Sequence, residues 1–183
     1  DFDFSYTHLV DKKNSLVYHI GLGVGVPYLN STILPFEKRY YGGGANSVRG
    51  WSARSLGPGS YNAGTKVDYM KQSGDIKLDL NIEYRTKLVL LLELAAFIDA
   101  GNIWTLKDEG QVGGQFKFDQ FYKQIALSYG IGLRLNFDYF VIRLDWGIKA
   151  FDPSRADGER WRFVPGWNIL KDTALHFAVG YPF

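Results

Sequence analysis

The chain has 183 residues, no cysteine and a formal charge of +2, which fits one domain and excludes disulfide scaffolds and cysteine-based metal sites. The near-neutral charge provides no basic surface, so we expect no nucleic-acid partner. Apolar runs such as Leu88 to Leu92 fall far short of the roughly 18 residues that a transmembrane helix needs.

Most of the chain alternates between apolar and polar residues, which is the period of a β-strand. The alternation is clearest from Ile76 to Arg85, where Ile, Leu and Tyr occupy one face and charged or amide residues the other. The pattern predicts an all-β chain with seven strands, in chain order at residues 2–10, 16–30, 75–88, 89–104, 122–137, 139–151 and 173–183. Several of them reach the roughly 9–11 residues with which a tilted strand crosses a bilayer.

The composition of the two faces indicates where each points. The polar face mixes Gly, Ser, Asn and all four charged residue types, which suits a hydrated lumen, whereas the other face is aliphatic and aromatic, which suits lipid. A soluble ligand-binding barrel would reverse this arrangement. The pattern therefore predicts a transmembrane, antiparallel, up-and-down β-barrel in contact with outer-membrane lipid.

The predicted connections alternate in length. Those at 11–15, near Lys87 and at 137–139 are short, whereas those at 31–74, 105–121 and 152–172 are long. Bacterial barrels have short periplasmic turns and long outer loops, so we expect a bacterial outer-membrane protein with a periplasmic C-terminus. Because such barrels have an even strand number, we expect residues 1–183 to be the C-terminal part of one barrel domain. An eighth strand within 161–170 is the alternative.

Residues 31–74 are too long for an ordinary hairpin loop and contain Tyr40 to Trp51, with the sequence YYGGGANSVRGW. Together with NIEYR at 81–85, FIDAGNIW at 97–104 and FAVGYPF at 177–183, this segment resembles the BamA/TamA superfamily. LPFE at 34–37 and RSLGPGSY at 54–61 look most like the TamA-like barrels of Bacteroidetes. The resemblance covers essentially the whole chain. It implies a roughly 16-stranded barrel whose long loop folds into the lumen, with periplasmic repeats upstream.

The resemblance also implies a loop latch. Its tip would be Val48, Arg49, Gly50 and Trp51, and its receptor on the lumen wall Glu83, Phe97 and Asp99. The predicted facing agrees, since an arginine fork can bind wall carboxylates beside an aromatic ring. The alternative is that these are ordinary lumen charges that balance one another.

The segment 173–183 predicts a lipid-facing strand with Leu175, Phe177, Val179, Tyr181 and Phe183 on one side. By resemblance, Gly180, Tyr181 and Phe183 would form the insertion signal and part of a weakly paired seam. Pro182 lacks an N–H and Gly180 permits a kink, which both weaken pairing. A short closing strand without a seam role is the alternative.

The resemblance implies that the protein assembles, inserts or translocates outer-membrane proteins. Nascent outer-membrane proteins would be its clients, and periplasmic or lipoprotein subunits its possible accessories. We expect no enzyme, no cofactor and no metal, because His8, His19 and His176 lie on different strands without catalytic or ligand spacing. A passive pore or minimal barrel is the alternative, and it shares every argument about fold.

Overall fold

The computed structural model describes residues 1–28, 33–64, 70–137, 139–162 and 168–183. In these residues, seven strands form one antiparallel sheet in which each strand pairs with its neighbours in sequence. The strands are β1 (Phe2–Leu9), β2 (Asn14–Val24), β3 (Ile76–Val89), β4 (Leu92–Trp104), β5 (Ala126–Phe137), β6 (Phe140–Phe151) and β7 (Thr173–Val179). The helical elements are 3-10 turns at Phe36–Lys38 and Phe121–Gln124 and a four-residue helix, α1 (Ile169–Asp172).

The two faces of the sheet differ as the sequence predicted. On β3, Asp79, Asn81 and Glu83 are buried, whereas Ile82 and Tyr84 are more than 40% exposed on the opposite face. The other long strands repeat this pattern of buried polar and exposed apolar positions. The all-β, up-and-down fold with a polar interior is confirmed. Among the described residues, we find no helix with the length and apolarity that crossing a membrane would demand.

The register places charged residues of neighbouring strands side by side on the inner face. Glu93 pairs with Arg134 between β4 and β5, and Arg134 pairs with Arg143 between β5 and β6. Asp145 on β6 pairs with His176 on β7. Since side chains of paired positions lie on the same face and close together, the sheet gathers its inward charges into one band.

The connections alternate in length, as the sequence predicted. β1–β2, β3–β4 and β5–β6 are joined by short turns, whereas residues 25–75, 105–125 and 152–172 form the long connections. The first of these is anchored at its base by an isolated bridge between Tyr40 and Gly74. Arg39 also anchors this connection through a bidentate salt bridge to Glu109 in the second long connection, at 2.6 and 2.7 Å.

Several predicted boundaries differ from the structure. β2 ends at Val24 rather than residue 30, shortly before Pro27, which has no N–H for a ladder; residues 29 and 30 lie outside the described residues. β5 begins at Ala126 rather than residue 122, because Phe121–Gln124 forms a 3-10 turn. In the segment considered for an eighth strand, Trp161 makes one isolated bridge and α1 begins at Ile169, while 163–167 lie outside the described residues.

Candidate functional site

The first long connection reaches the inner face of the sheet through residues 47–51, which we call the loop tip. Val48 and Arg49 are fully buried and Trp51 is 4% exposed. Val48 and Trp51 form an apolar cluster with Leu56 of the same connection and Ala126 of β5. Burial of such side chains contributes about 1.5–3 kcal/mol each, so apolar packing helps to hold the tip against the wall.

Glycines upstream of the tip allow the chain to turn. Gly43 and Gly44 have φ values of 85° and 100°, which favour glycine. The Gly44 N–H donates to the carbonyl of Trp51 at 2.9 Å, which closes the tip into a compact turn. Two wall contacts fix its position: Ser47 Oγ donates to Asp79 at 2.7 Å, and the Asn81 amide donates to the Ser47 carbonyl at 2.9 Å.

Arg49 is the centre of the site. Its backbone N–H, Nε and Nη2 donate to the Asp99 carboxylate at 3.0, 2.9 and 2.8 Å. Its Nη1 donates to Glu83 at 2.5 Å. The guanidinium carbon lies 3.5 Å from the centroid of the Phe97 ring, a cation–π distance. The structure therefore brings Arg49 together with all three predicted receptor residues.

Further wall charges extend this contact. Arg134 on β5 binds Glu83 at 2.8 Å and Asp145 at 3.0 Å. Arg143 on β6 binds Asp145 at 3.2 Å and donates to the carbonyl of Ala45 at 2.9 Å. We call the following six side chains, all at most 2% exposed, the buried network: Arg49, Arg134, Arg143, Glu83, Asp99 and Asp145. It holds three cations and three anions, which is the balance that burial of charge requires.

Three network residues, Arg134, Arg143 and Asp145, are not among the site residues predicted from the sequence. Their inward facing followed from the alternation, but which inward charges meet depends on strand register and on how deeply the loop enters. The three residues lie on β5 and β6, so the receptor covers more of the wall than β3 and β4 alone.

Two glycines permit the backbone of the tip to touch the wall. A Cβ placed on Gly147 of β6 would lie 1.9 Å from the carbonyl oxygen of Arg49, and one placed on Gly50 would lie 2.6 Å from Cβ of Ser128 on β5. Both distances are shorter than non-bonded carbon contacts allow. Glycine at these positions therefore lets main chain pack directly on β5 and β6.

The segment after β7 differs from the prediction. Gly180 has a φ of 97°, and the alternation of β7 ends there, so the following residues do not continue its lipid-facing row. The Phe183 ring stacks on the His19 imidazole of β2, with centroids 4.6 Å apart. The Tyr181 hydroxyl accepts a bond from Asn136 at 2.8 Å. The prediction of a lipid-facing Phe183 is wrong because the turn at Gly180 directs the chain inward.

The histidines do not form one site. His19 contacts Asn81 and Asp3, at 2.8 and 3.1 Å, and His176 contacts the Arg49 carbonyl. Among the described residues, no group of three or more His, Cys, Asp or Glu side chains is placed to hold a metal ion.

Comparisons with known proteins agree with this architecture. Residues 1–169 match the Omp85 superfamily domain. The outer membrane protein assembly factor BamA of Neisseria meningitidis serogroup B is 33% identical over 89 residues, which are 45% of this chain and 11% of that protein. The crystal structure of BamA from Haemophilus ducreyi lacking POTRA domains 1–3 shares the fold, with a TM-score of 0.63 and 16% identity over 97% of this chain and 34% of that one. Because the Omp85 superfamily domain matches most of the length of this chain, the chain belongs to the Omp85 superfamily.

Proposed function

We propose that the protein assembles, inserts or translocates outer-membrane proteins without covalent chemistry, and that the loop tip is its latch. Superfamily membership and the similarity to BamA imply a location in a bacterial outer membrane. The curated relative is named as an outer membrane protein assembly factor, and the chain spans only about a tenth of its length. Nascent outer-membrane proteins would be the clients, periplasmic or lipoprotein subunits possible accessories, and residue 183 would lie on the periplasmic side. The TamA-like subtype stays a prediction.

The observation that carries this proposal is the burial of Arg49 in a neutral network that links the loop to four strands. Glu83 lies on β3, Asp99 on β4, Arg134 on β5 and Asp145 on β6. A loop that only narrows a pore needs no fully dehydrated ion network, because exposed charges already set conductance and selectivity. Buried ion pairs are costly to desolvate, and their best-supported role is to fix one arrangement of the chain. We therefore infer that the network holds the loop in one position.

The latch supplies a mechanical part of the proposed function. A tip bonded to adjacent strands ties the curvature of that wall to the position of the loop. A client strand that pairs with an edge of such a barrel gains main-chain hydrogen bonds, and a wall of fixed curvature keeps that edge in one geometry. The latch would thereby stabilise the conformation on which clients assemble.

The test is assembly by the intact protein in proteoliposomes, scored by folding of a client barrel. Arg49→Ala and Asp99→Ala should each lower the assembly rate while leaving strand content unchanged, because the tip loses its main ionic contacts. Arg54→Ala is the matched control: it removes an exposed arginine of the same connection that lies over the Tyr41 ring. Silence of both Arg49→Ala and Asp99→Ala would remove the latch from the mechanism. Solute conductance without any client folding would favour the passive pore.

A further inference from the structure

His176 connects the loop tip to a strand that the latch does not otherwise use. Its Nε2 lies 2.9 Å from the Arg49 carbonyl oxygen; since a carbonyl only accepts, the imidazole donates. The Arg49 side chain points to β3 and β4, whereas its carbonyl faces β6 and β7. We propose that His176 is a positioning residue that couples docking of the loop tip to pairing of β7, an inference that rests on the proposed latch.

Among the described residues, His176 is the donor to the Arg49 carbonyl. The carbonyl lies directly over Gly147, where no side chain intervenes. In the β6–β7 register Gly147 pairs with Ala174, and the preceding inward position of β6, Asp145, pairs with His176. The two small residues open a gap beside the carbonyl, into which the imidazole extends. A buried carbonyl without a donor is costly, so the tip docks most stably when β7 supplies one.

β7 depends more on such a contact than its neighbours do. In the described residues, β6 pairs with β7 at seven positions but with β5 at eleven. The outward side chains of β7, Leu175, Phe177 and Val179, are each about two-thirds exposed and gain little from protein packing. The bond from His176 adds an attachment on the inner face, from β7 to a loop that is held by β3 and β4.

Coupling of this kind is reciprocal. If paired β7 favours the docked tip, a docked tip favours paired β7 by the same factor. Movement of β7 away from β6 would withdraw the imidazole from the tip, and release of the tip would remove an anchor from β7. The position of β7, an edge strand of the described sheet, would then affect how stably the loop tip docks inside the lumen.

Amide hydrogen exchange on the intact protein in lipid nanodiscs tests the coupling. His176→Phe keeps a ring of similar size but removes the donor; we expect exchange to accelerate on the order of tenfold, both in β7 and at residues 47–50 of the tip. His176→Gln keeps an N–H donor at similar reach and should restore most of the protection in both places. His8→Phe, at an exposed histidine of β1, is the control and should change neither segment.

A double variant separates coupling from a local effect on β7. In an Arg49→Ala background the tip is already loosened, so His176→Phe should add little to exchange in β7. Acceleration confined to β7, a full effect in the Arg49→Ala background, or no rescue by His176→Gln would each overturn the proposal. The readout is independent of assembly: coupled exchange with normal assembly by both Arg49→Ala and Asp99→Ala would refute only the role of the latch in assembly. Uncoupled exchange with impaired assembly would refute only the role of His176.

Discussion

Replacement of Arg49 by alanine is the sharpest test of the buried network. The change deletes three side-chain donor groups and leaves Glu83 and Asp99, both fully buried, facing the gap. Removing one partner of a buried ion pair typically costs about 3–5 kcal/mol. Arg134 still neutralises Glu83 in part, so we place the effect on tip docking near the lower end of that range.

The expected result is a loss of protection against amide exchange and proteolysis that is confined to the loop. A cost of about 3 kcal/mol corresponds to roughly two orders of magnitude in the docking equilibrium, which amide exchange at residues 47–51 or proteolysis of the connection can measure. The strands should keep their protection, because their ladders do not involve Arg49. Arg54→Ala should leave the tip unchanged. Equal protection in Arg49→Ala and Arg54→Ala would show that apolar packing of Val48 and Trp51 alone holds the tip.

Three further changes probe other contacts. Gly147→Ala should displace the tip and raise its exchange as strongly as Arg49→Ala, because the new methyl would occupy the place of the Arg49 carbonyl. Acid should loosen the third long connection. Burial acts to raise the pKa of Asp172, but hydrogen bonds from Arg162 and from the backbone N–H of Asn168 outweigh this effect and lower the pKa below 3.8. The stabilisation is therefore present above pH 3.8 and lost as the pH falls through the lowered pKa, whereas Asp172→Asn should show the loosened state in exchange at neutral pH. His19→Ala should accelerate exchange in residues 180–183 by roughly two- to tenfold, since ring stacking on Phe183 contributes about 0.5–1.5 kcal/mol.

Each of these changes has a matched control. Gly21→Ala also adds a methyl to an inward glycine, but the nearest atom would be 3.3 Å away, so the tip should stay protected. Asp157→Asn, at an exposed carboxylate that pairs with Arg160, should leave exchange in the third connection unchanged. His8→Ala should not affect residues 180–183. An effect of any control equal to that of its partner variant would show that the change acts through general destabilisation.

The strands and their facing could be predicted because both follow from local periodicity. Leu80 and Ile82 alternate with Asp79, Asn81 and Glu83 in the sequence, and the structure preserves that alternation over the strand. The boundaries were less accurate where one residue changes the backbone. Gly180 is an example, since a φ of 97° at a single position turns residues 181–183 away from the row that β7 had established.

Only those parts of the site could be predicted that follow from sequence motifs or from the inward facing of strand residues. Arg49 could be matched with Glu83 and Asp99 because a family resemblance named the loop and the alternation placed both carboxylates inside. His176 carried no such signal: its role depends on Gly147 and Ala174 being neighbours across β6 and β7. That neighbour relation is a property of register, which the sequence of one strand does not contain.

Charge balance explains why the loop and the wall belong together. On the wall, three fully buried carboxylates, Glu83, Asp99 and Asp145, face two buried arginines, Arg134 and Arg143. Arg85 also binds Glu83, but it lies at the edge of the site and keeps 12% of its side chain exposed. Within the buried network, the wall therefore supplies three anions and two cations, and Arg49 provides the third cation. Since an uncompensated buried charge is far costlier than a paired one, the wall without the tip must admit water or ions. The burial of this network is thus a property of the loop and the strands together.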